Sequence, residues 1–330
     1  MKHFKALWVT ETPEFKQQII ERSVADLPEG ELLIKVEYSC LNYKDALSAS
    51  GNRGVTKHYP HTPGIDAAGT VVESSVADFQ PGTEVIVTGY DLGMNTAGGL
   101  AGYIRVPAAW AIKRPVGLTA QQAMSYGTAG LTAGLCINKL LKAGLMPEQG
   151  TVLVTGATGG VGSIAVALLS KLGFKVAAVT GKAEQAEWLQ SLGAEQVLSR
   201  EQLAEGLNKP LLRPLWAGVV DTVGGDLLFN AIKALNYGAS AACCGLTAGV
   251  NFDASILPFI LRGVNLLGVD SVELPLAEKQ AVWDKLATEW SVPALEQLVT
   301  EISLEQVPAA ISQILSGLHT GRMLVKLADH

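Results

Sequence analysis

Apolar residues recur in short bursts through the first third of the chain. ELLIKVEYS (31–39), AGTVVES (68–74), TEVIVTG (83–89) and GYIRVP (102–107) each mix β-branched and apolar residues over a strand's length. Glycine and proline clusters at PGID (63–66) and QPGTE (80–84) separate them. Runs of this kind bounded by turn formers predict a partly closed antiparallel β domain with no helix-period segment of any length. Near residue 124 the pattern changes. Strand-length runs at TVLVTG (151–156), FKVAAVT (174–180), EQVL (195–198), WAGVVDTVG (216–224), ASAACCG (239–245) and NLLGVD (265–270) alternate with helical spacing over 160–172, 184–192, 227–235 and 255–262. Six strands interleaved with helices predict a parallel, doubly wound sheet with right-handed crossovers. After residue 275 come an amphipathic helix (277–290), a short strand near 299–303, a helix at 307–316 and the strand RMLVKLA (322–328). The six-stranded sheet has no place for that last strand, so the C-terminal segment is expected to return to the first domain.

Composition narrows this picture. The 330 residues suffice for two domains with a sizeable core. The formal net charge is −6 and no long basic run occurs, which argues against a nucleic-acid partner. Anions must then be met by local groups, not by the overall field. The apolar stretches are short and broken by glycine, so no membrane span is expected. The opening MKHFKALWVTETPEFK lacks the apolar run of a signal peptide. Cys40, Cys136, Cys243 and Cys244 do not form a disulfide framework, and a cytoplasmic location follows as the expectation.

The sharpest local signal is VTGATGGVG (154–162), where a strand ends and a helix begins. Against the pattern G-x-G-x-x-G its three positions are Ala157, Gly159 and Gly162. Gly159 allows close approach of a pyrophosphate, and Gly162 lets the helix pack on the strand. The helix N-terminus, Thr158 through Gly160, Val161 and Gly162, offers free N–H groups and partial positive charge to phosphates. In NAD-binding folds a carboxylate about 20 residues further on accepts the ribose hydroxyls. Here the second strand ends at Thr180-Gly181-Lys182, a hydroxyl and a cation in place of the acid. A carboxylate would repel a 2′-phosphate, whereas Lys182 attracts it and Thr180 can donate to it. NADPH is therefore favoured over NADH. Arg200, after the third strand, supplies a second cation.

A catalytic zinc needs three Cys, His or carboxylate ligands. Cys40 is followed by Leu41-Asn42-Tyr43, PGIDAAG (63–69) holds no histidine, and no CxxCxxC cluster is present. No metal site is expected. Hydride attack would then suit conjugated acceptors such as enones, quinones or enoyl thioesters better than plain ketones.

Taken together, LNYKDAL (41–47), PGIDAAG (63–69), YGTAGLTA (126–133), VTGATGGVG and FILRGVNLLGVDS (259–271) closely resemble the medium-chain dehydrogenase/reductase superfamily. Within it, the match is to the zinc-independent acrylyl-CoA reductase branch, long labelled as quinone oxidoreductases. The resemblance covers about residues 4–327. It implies a mostly β, GroES-like catalytic domain from residues 1–124 and 272–330, and an NADPH-binding Rossmann domain from 125–271, with the cofactor in the cleft between them. It also implies a homodimer in which sixth-strand edges (265–270) pair across a two-fold. In that branch the tyrosine of NYKDAL, here Tyr43, lies at the nicotinamide end. Leu246, Ile260 and Ser271 occupy positions similar to later cofactor contacts. Family members often carry an amide shortly before the final Gly-Arg; the stretch Gly317 to Arg322 has none.

The activity implied is transfer of hydride from NADPH to the β-carbon of an α,β-unsaturated thioester, acryloyl-CoA to propionyl-CoA, followed by protonation at the α-carbon. The enzyme positions the reactants and stabilises enolate charge. Asn42 and Tyr43 are the candidate catalytic residues, with solvent an alternative proton source. Asp45 and Asp66 read as structural acceptors of backbone N–H groups, and Arg262 as a cap on its own helix. Lys44, Arg53 and Lys57 are cations that could meet the acyl-CoA, with ordinary surface solvation as the alternative. His58 and His61 have no partner that the sequence names. Two other readings stand beside the acyl-CoA one: an NADPH-dependent quinone or enone oxidoreductase, and a non-catalytic NADPH sensor.

Overall fold

The computed structural model describes residues 2–12, 14–293 and 295–327. It falls into two compact units, the first made of residues 1–128, 272–287 and 294–330, the second of 129–271 and 288–293.

The first unit begins with an antiparallel hairpin, β1 (His3–Thr10) and β2 (Lys16–Ser23), that the apolar pattern did not foretell. Then follow β3 (Leu32–Leu41), α1 (Tyr43–Ala49), β4 (Asp66–Ser74), β5 (Glu84–Thr88), β6 (Tyr103–Val106) and β7 (Ala111–Lys113). The domain is thus not free of helix. Asn42 and Asp45 form a capping box that starts α1, with the Asn42 N–H donating to Asp45 Oδ2 at 2.8 Å. At seven residues α1 is too short to leave a clear period.

α2 (Ala120–Lys142) carries the chain from one unit to the other and is broken at Gly127, whose φ of 52° no L side chain adopts comfortably. The second unit alternates β8 (Thr151–Val154), α3 (Gly160–Lys171), β9 (Lys175–Thr180), α4 (Ala186–Ser191), β10 (Gln196–Ser199), α5 (Arg200–Leu203), β11 (Trp216–Asp221), α6 (Gly225–Lys233), β12 (Leu235–Cys243), α7 (Leu257–Arg262) and β13 (Asn265–Gly268). Its six strands are all parallel, in the order β10-β9-β8-β11-β12-β13. This is the doubly wound Rossmann sheet, and its strand order reverses between β8 and β11. Leu153, Ala177, Val219 and Ala241 from the strands pack with Ile232 and Phe229 of α6 in its core.

The chain then returns to the first unit through α8 (Leu276–Ala287), β14 (Val299–Ser303), α9 (Val307–Leu315) and β15 (Arg322–Lys326). β15 pairs antiparallel with β3. The resulting sheet runs β14-β15-β3-β4-β5-β7, with β6 also on β3; only the β14–β15 pair is parallel. Ala328, the last residue of the expected strand, lies outside the described residues. Leu32, Ile34, Val36, Val71 and Val85 line one core face with Val307, Ile311 and Val325.

Arg262 is not a cap on its own helix. Its guanidinium donates to Lys233 O at 2.9 Å, to Leu235 O at 3.3 Å and to Leu212 O at 2.5 Å. It therefore closes the carboxyl end of α6, because an arginine's forked donors reach several carbonyls that a helix end leaves open.

Candidate functional site

In the second unit the strand β8 runs into the glycine turn at the point where the strand order reverses. The residue that the turn needs first is Gly156. Its φ is 58°, and a Cβ there would lie 2.3 Å from Thr222 Oγ1. Thr222 is fixed in turn: its N–H donates to Thr155 Oγ1 and its hydroxyl to Thr155 O. Thr155 Oγ1 donates to Asp221 Oδ1 at 2.7 Å, and Asp221 Oδ2 accepts from Gly224 N. Burial pushes the Asp221 carboxyl above its ordinary pKa, opposed by these donors. This Thr155–Asp221–Thr222 brace and Gly156 itself escaped the sequence reading. The template assigned the first glycine position to Ala157, which is buried and has an ordinary backbone.

Gly162, expected to let the helix pack closely, packs against the turn that leads into it. A Cβ on it would lie 2.3 Å from Gly156 O and 2.8 Å from Ala157 Cα. Gly159 is the residue before α3, with no side-chain cap and no acidic residue in the first turn of the helix. The N–H groups of Gly160, Val161 and Gly162 therefore sit at a helix end open to an anion. A phosphorylated dinucleotide fits this open helix end, which the close packing of Gly162 on the turn holds in place.

Thr158 and Thr180 are both buried, their hydroxyls 3.1 Å apart. Thr180 Oγ1 also accepts the Lys182 N–H at 3.0 Å, so its main visible service is to order the turn that presents Lys182. Across from it, Ser199 stands in register with Thr180, which brings Arg200 beside Gly181. Burial, with the charge of Arg200 as a smaller contributor, holds the Lys182 ammonium below its ordinary pKa, while Glu184 acts against both. Leu246 joins this end of the sheet: a Cβ on Gly224 would lie 3.3 Å from Leu246 Cα, and Leu246 is half exposed. Ile260 is exposed on α7, and Ser271 is buried with its hydroxyl accepting from Thr132 Oγ1 at 2.8 Å.

In the first unit the Asn42–Tyr43 pair stands at the start of α1. Tyr43 is 42% exposed. Asn42 is not available to a reacting molecule in the way the sequence reading expected. Its Nδ2 donates to Asp66 Oδ2 at 2.8 Å and to Asp45 Oδ2 at 3.3 Å, and its Oδ1 accepts from Arg322 Nη1 at 3.2 Å. Asn42 therefore positions α1 and Tyr43. Asp45 behaves as expected, taking N–H groups of Asn42 and Ile65. Asp66 reaches further, to Thr128 N at 2.8 Å and Thr128 Oγ1 at 2.5 Å. The break in α2 at Gly127 is what frees that N–H. A Cβ on Gly127 would lie 2.5 Å from Cys40 Sγ, 2.7 Å from Asp66 Oδ2 and 2.8 Å from Arg322 Nη2. Arg322 also donates to Leu41 O and Ser125 O. Nothing local in the sequence marks Arg322 or Gly127, because their partners lie far along the chain.

Of the surface cations, Arg53 is committed to Glu11 and to Lys57 O. His61 does have a partner: it is buried and its Nε2 hydrogen-bonds Gly93 O at 2.9 Å.

Two family profiles match the chain, the zinc-binding dehydrogenases over residues 160–288 and the alcohol dehydrogenase GroES-like domain over 28–116. Acrylyl-CoA reductase AcuI of Ruegeria pomeroyi is 44% identical over 96% of this chain and 96% of its own. YhfP of Bacillus subtilis, whose name places it among the quinone oxidoreductases, is 47% identical over 92% of this chain and 93% of its own. Its crystal structure with NAD bound superposes with a TM-score of 0.97, covering 99% of this chain and 100% of that one. The yhdH oxidoreductase of Salmonella enterica, solved with NADP, gives a TM-score of 0.95 at 43% identity, covering 98% and 99%.

The first profile's description names zinc, and the residues do not fit it. Among the described residues no group of three or more His, Cys, Asp or Glu side chains is placed to hold a metal ion. The Cys40 thiol donates to Asp66 Oδ2 at 3.1 Å and accepts from Arg322 Nη2 at 2.9 Å. Burial, then the Asp66 charge, pushes it well above its ordinary pKa, so it stays a neutral thiol. The cation of this cluster is a guanidinium, which would repel a second one.

Burial, reinforced by the charge of Asp66, raises the Asp45 carboxyl from 3.8 to about 7, against the N–H bonds that favour its ionised form. Between those two values the folded chain keeps a proton that the unfolded chain has lost. Asp45's contribution to stability should therefore fall as pH rises across that window and stay level above it. Urea unfolding of wild type and D45N at intervals from pH 4 to 8 tests this. The wild type should lose stability relative to D45N up to about pH 7, and parallel profiles would show that Asp45 does not hold the proton.

Proposed function

Because the chain belongs to the medium-chain dehydrogenase/reductase superfamily, in the branch of the acrylyl-CoA reductases and their quinone oxidoreductase relatives, we propose that it is an NADPH-dependent reductase of activated carbon–carbon double bonds, with acryloyl-CoA as substrate and propionyl-CoA as product. The observation that carries this reading is the pair of cations at the end of β9 and start of α5, Lys182 and Arg200, where an NAD-preferring fold places an acid. The AcuI likeness over nearly the whole of both chains supports the acyl-CoA assignment.

Bound NADPH supplies the hydride. The chain's own residues divide the remaining work. Gly160, Val161 and Gly162 present backbone N–H groups to the pyrophosphate, with Thr158 and Gly159 shaping the turn. Lys182 and Arg200 meet the 2′-phosphate on a turn ordered by Thr180 and Gly181. Leu246, Ile260 and Ser271 complete the cofactor's surroundings in this proposal. Tyr43, exposed at the first position of α1, offers a hydroxyl to the thioester oxygen as charge develops there, and Asn42 holds that helix start in place. Hydrogen-bond activation of this strength suits a conjugated acceptor, in which hydride attack leaves a delocalised enolate. A quinone meets the same condition, and the YhfP likeness favours it as the second reading.

The proposal includes a homodimer. β13 lies at the edge of its sheet with one neighbour, β12, and Ile256, Ile260 and Leu261 are exposed on or beside the adjacent α7. An open apolar edge is the kind of surface that a second copy covers. No helix among the described residues is long and apolar enough to cross a membrane. Four free thiols accord with a cytoplasmic location, which is part of the same proposal.

Steady-state kinetics with NADPH should give a kcat/KM at least about tenfold higher for acryloyl-CoA than for a benzoquinone, a difference of ~1.4 kcal/mol in transition-state binding. The reverse order would make the protein a quinone reductase, and binding of NADPH without turnover of any acceptor would make it a sensor. The substitution K182A should raise KM for NADPH about tenfold or more and that for NADH far less, since a charge-assisted phosphate contact is worth roughly 1.5–3 kcal/mol. An unchanged coenzyme preference would remove Lys182 from the phosphate site. Light scattering on the purified protein should give twice the 34.7 kDa chain mass; a single-chain mass at micromolar concentration would rule out the dimer.

A further inference from the structure

We propose that Gly181 is a specificity-determining residue: by having no side chain, it lets the Arg200 guanidinium lie flat on its backbone and so fixes the second cation of the 2′-phosphate site. The proposal rests on the NADPH reading above and adds the device that makes it selective.

Glycine is not needed at 181 for backbone reasons. The glycine turns of this chain are marked by positive φ, as at Gly156 and Gly173, and Gly181 is not among them. An L side chain could adopt its conformation. The excluded space has a different owner. A Cβ built on Gly181 would lie 2.8 Å from both Cζ and Nε of Arg200 and 3.2 Å from Nη1. Three atoms of one planar group at nearly equal range mean that the guanidinium plane rests against the Cα of Gly181.

The sheet register explains why these two residues meet. β9 and β10 run parallel with Thr180 opposite Ser199, so the next residue on each strand, Gly181 and Arg200, face each other as the strands end. Ser199 holds the start of α5, accepting the Gln202 N–H on its hydroxyl. Arg200 is thus anchored at its backbone by the cap and at its tip by the glycine. A long, exposed side chain otherwise samples many rotamers, and confining it before the ligand arrives lowers the entropic cost of binding. The same contact keeps the guanidinium close enough to Lys182 for its charge to depress that ammonium's pKa. Two like charges held together in this way gain from a doubly charged phosphate and gain nothing from a ribose hydroxyl.

Adding one methyl group separates this device from the fold. The neighbour that must give is the far end of a flexible side chain, so G181A should displace the guanidinium and leave β9 and β10 in register. Thermal unfolding of G181A should therefore stay within about 2 °C of wild type. The test is the ratio of kcat/KM with NADPH to that with NADH, for wild type, G181A, R200A and the double variant. The ratio should fall about tenfold in G181A. It should fall similarly in R200A and no further in the double variant, because both changes remove one and the same contact. If R200A lowers the ratio while G181A leaves it at the wild-type value, or lowers both coenzymes' kcat/KM equally, Gly181 has no such role and the NADPH reading stands. Additive losses in the double variant would likewise separate Gly181 from Arg200. If neither R200A nor K182A moves the ratio, the 2′-phosphate reading itself fails and takes this proposal with it.

Discussion

There is no room for one carbon atom between the first turn of α3 and the backbone that leads into it. Gly162 would strike the carbonyl of Gly156 if it carried a Cβ, and Gly156 would strike the hydroxyl of Thr222. This double close approach holds the N-terminus of α3 over the carboxyl end of β8. It depends on a brace from the next strand, since Thr222 is held by Thr155, and Thr155 by Asp221. The brace spans β8 and β11, the two strands between which the sheet's order reverses. A helix N-terminus is a weak partial charge that falls off within a turn. Its usefulness to a phosphate depends on being held at a fixed distance, and the absent side chains do that.

The first unit uses the same economy of space for a different purpose. Gly127 breaks α2 and leaves the Thr128 N–H without its helical acceptor. Asp66 takes that N–H, together with the Thr128 hydroxyl, the Asn42 amide and the Cys40 thiol. Arg322 crowds the same point and donates to Leu41 O, Ser125 O, Asn42 Oδ1 and Cys40 Sγ. Leaving a buried charge without partners would cost roughly 3–5 kcal/mol, so the bend in α2, the end of β3 and the start of α1 are fixed as one piece. Tyr43 follows directly from Asn42 and inherits that rigidity, with its ring at the surface and its backbone held from below.

The parts of this arrangement that were legible in the sequence are those written in contiguous residues. Strand-length apolar runs marked all six parallel strands, because a buried strand declares itself over four to eight neighbouring positions. The glycine turn and the exchange of an acid for Thr180-Gly181-Lys182 were equally local. The hairpin β1–β2 was not seen: its second strand, KQQIIERS, is half exposed and polar at most positions, so it lacks a clear alternation. α1 escaped for its length. The Rossmann template, aligned on glycine spacing, shifted the first turn residue by one, since spacing alone does not report which position has a positive φ. The sequence makes Asn42 a candidate for enolate stabilisation because its partners, Asp66 and Arg322, come from β4 and β15 and are not visible locally. Arg262 was given to the nearest helix end, and its true carbonyls lie 27 to 50 positions earlier. The last two differences each concern a polar side chain whose partners are distant along the chain, which no window of sequence contains.

The two clusters also differ in how they use positive charge, and the difference bears on chemistry. At the end of β9 and the start of α5 the cations Lys182 and Arg200 stand on a partly exposed ledge, where the proposal places a doubly charged phosphate. In the first unit the guanidinium of Arg322 is buried and donates to protein oxygens and sulfur. It holds Asn42 and with it the start of α1. In the function proposed above, activation of the acceptor falls to a hydrogen bond of ordinary strength from Tyr43 at the start of α1. A plain ketone would leave a localised alkoxide for such a site to stabilise. A conjugated thioester or quinone spreads the incoming negative charge over its own π-system, so modest donors suffice. The role proposed for Tyr43 thus favours acceptors that carry part of the stabilisation themselves.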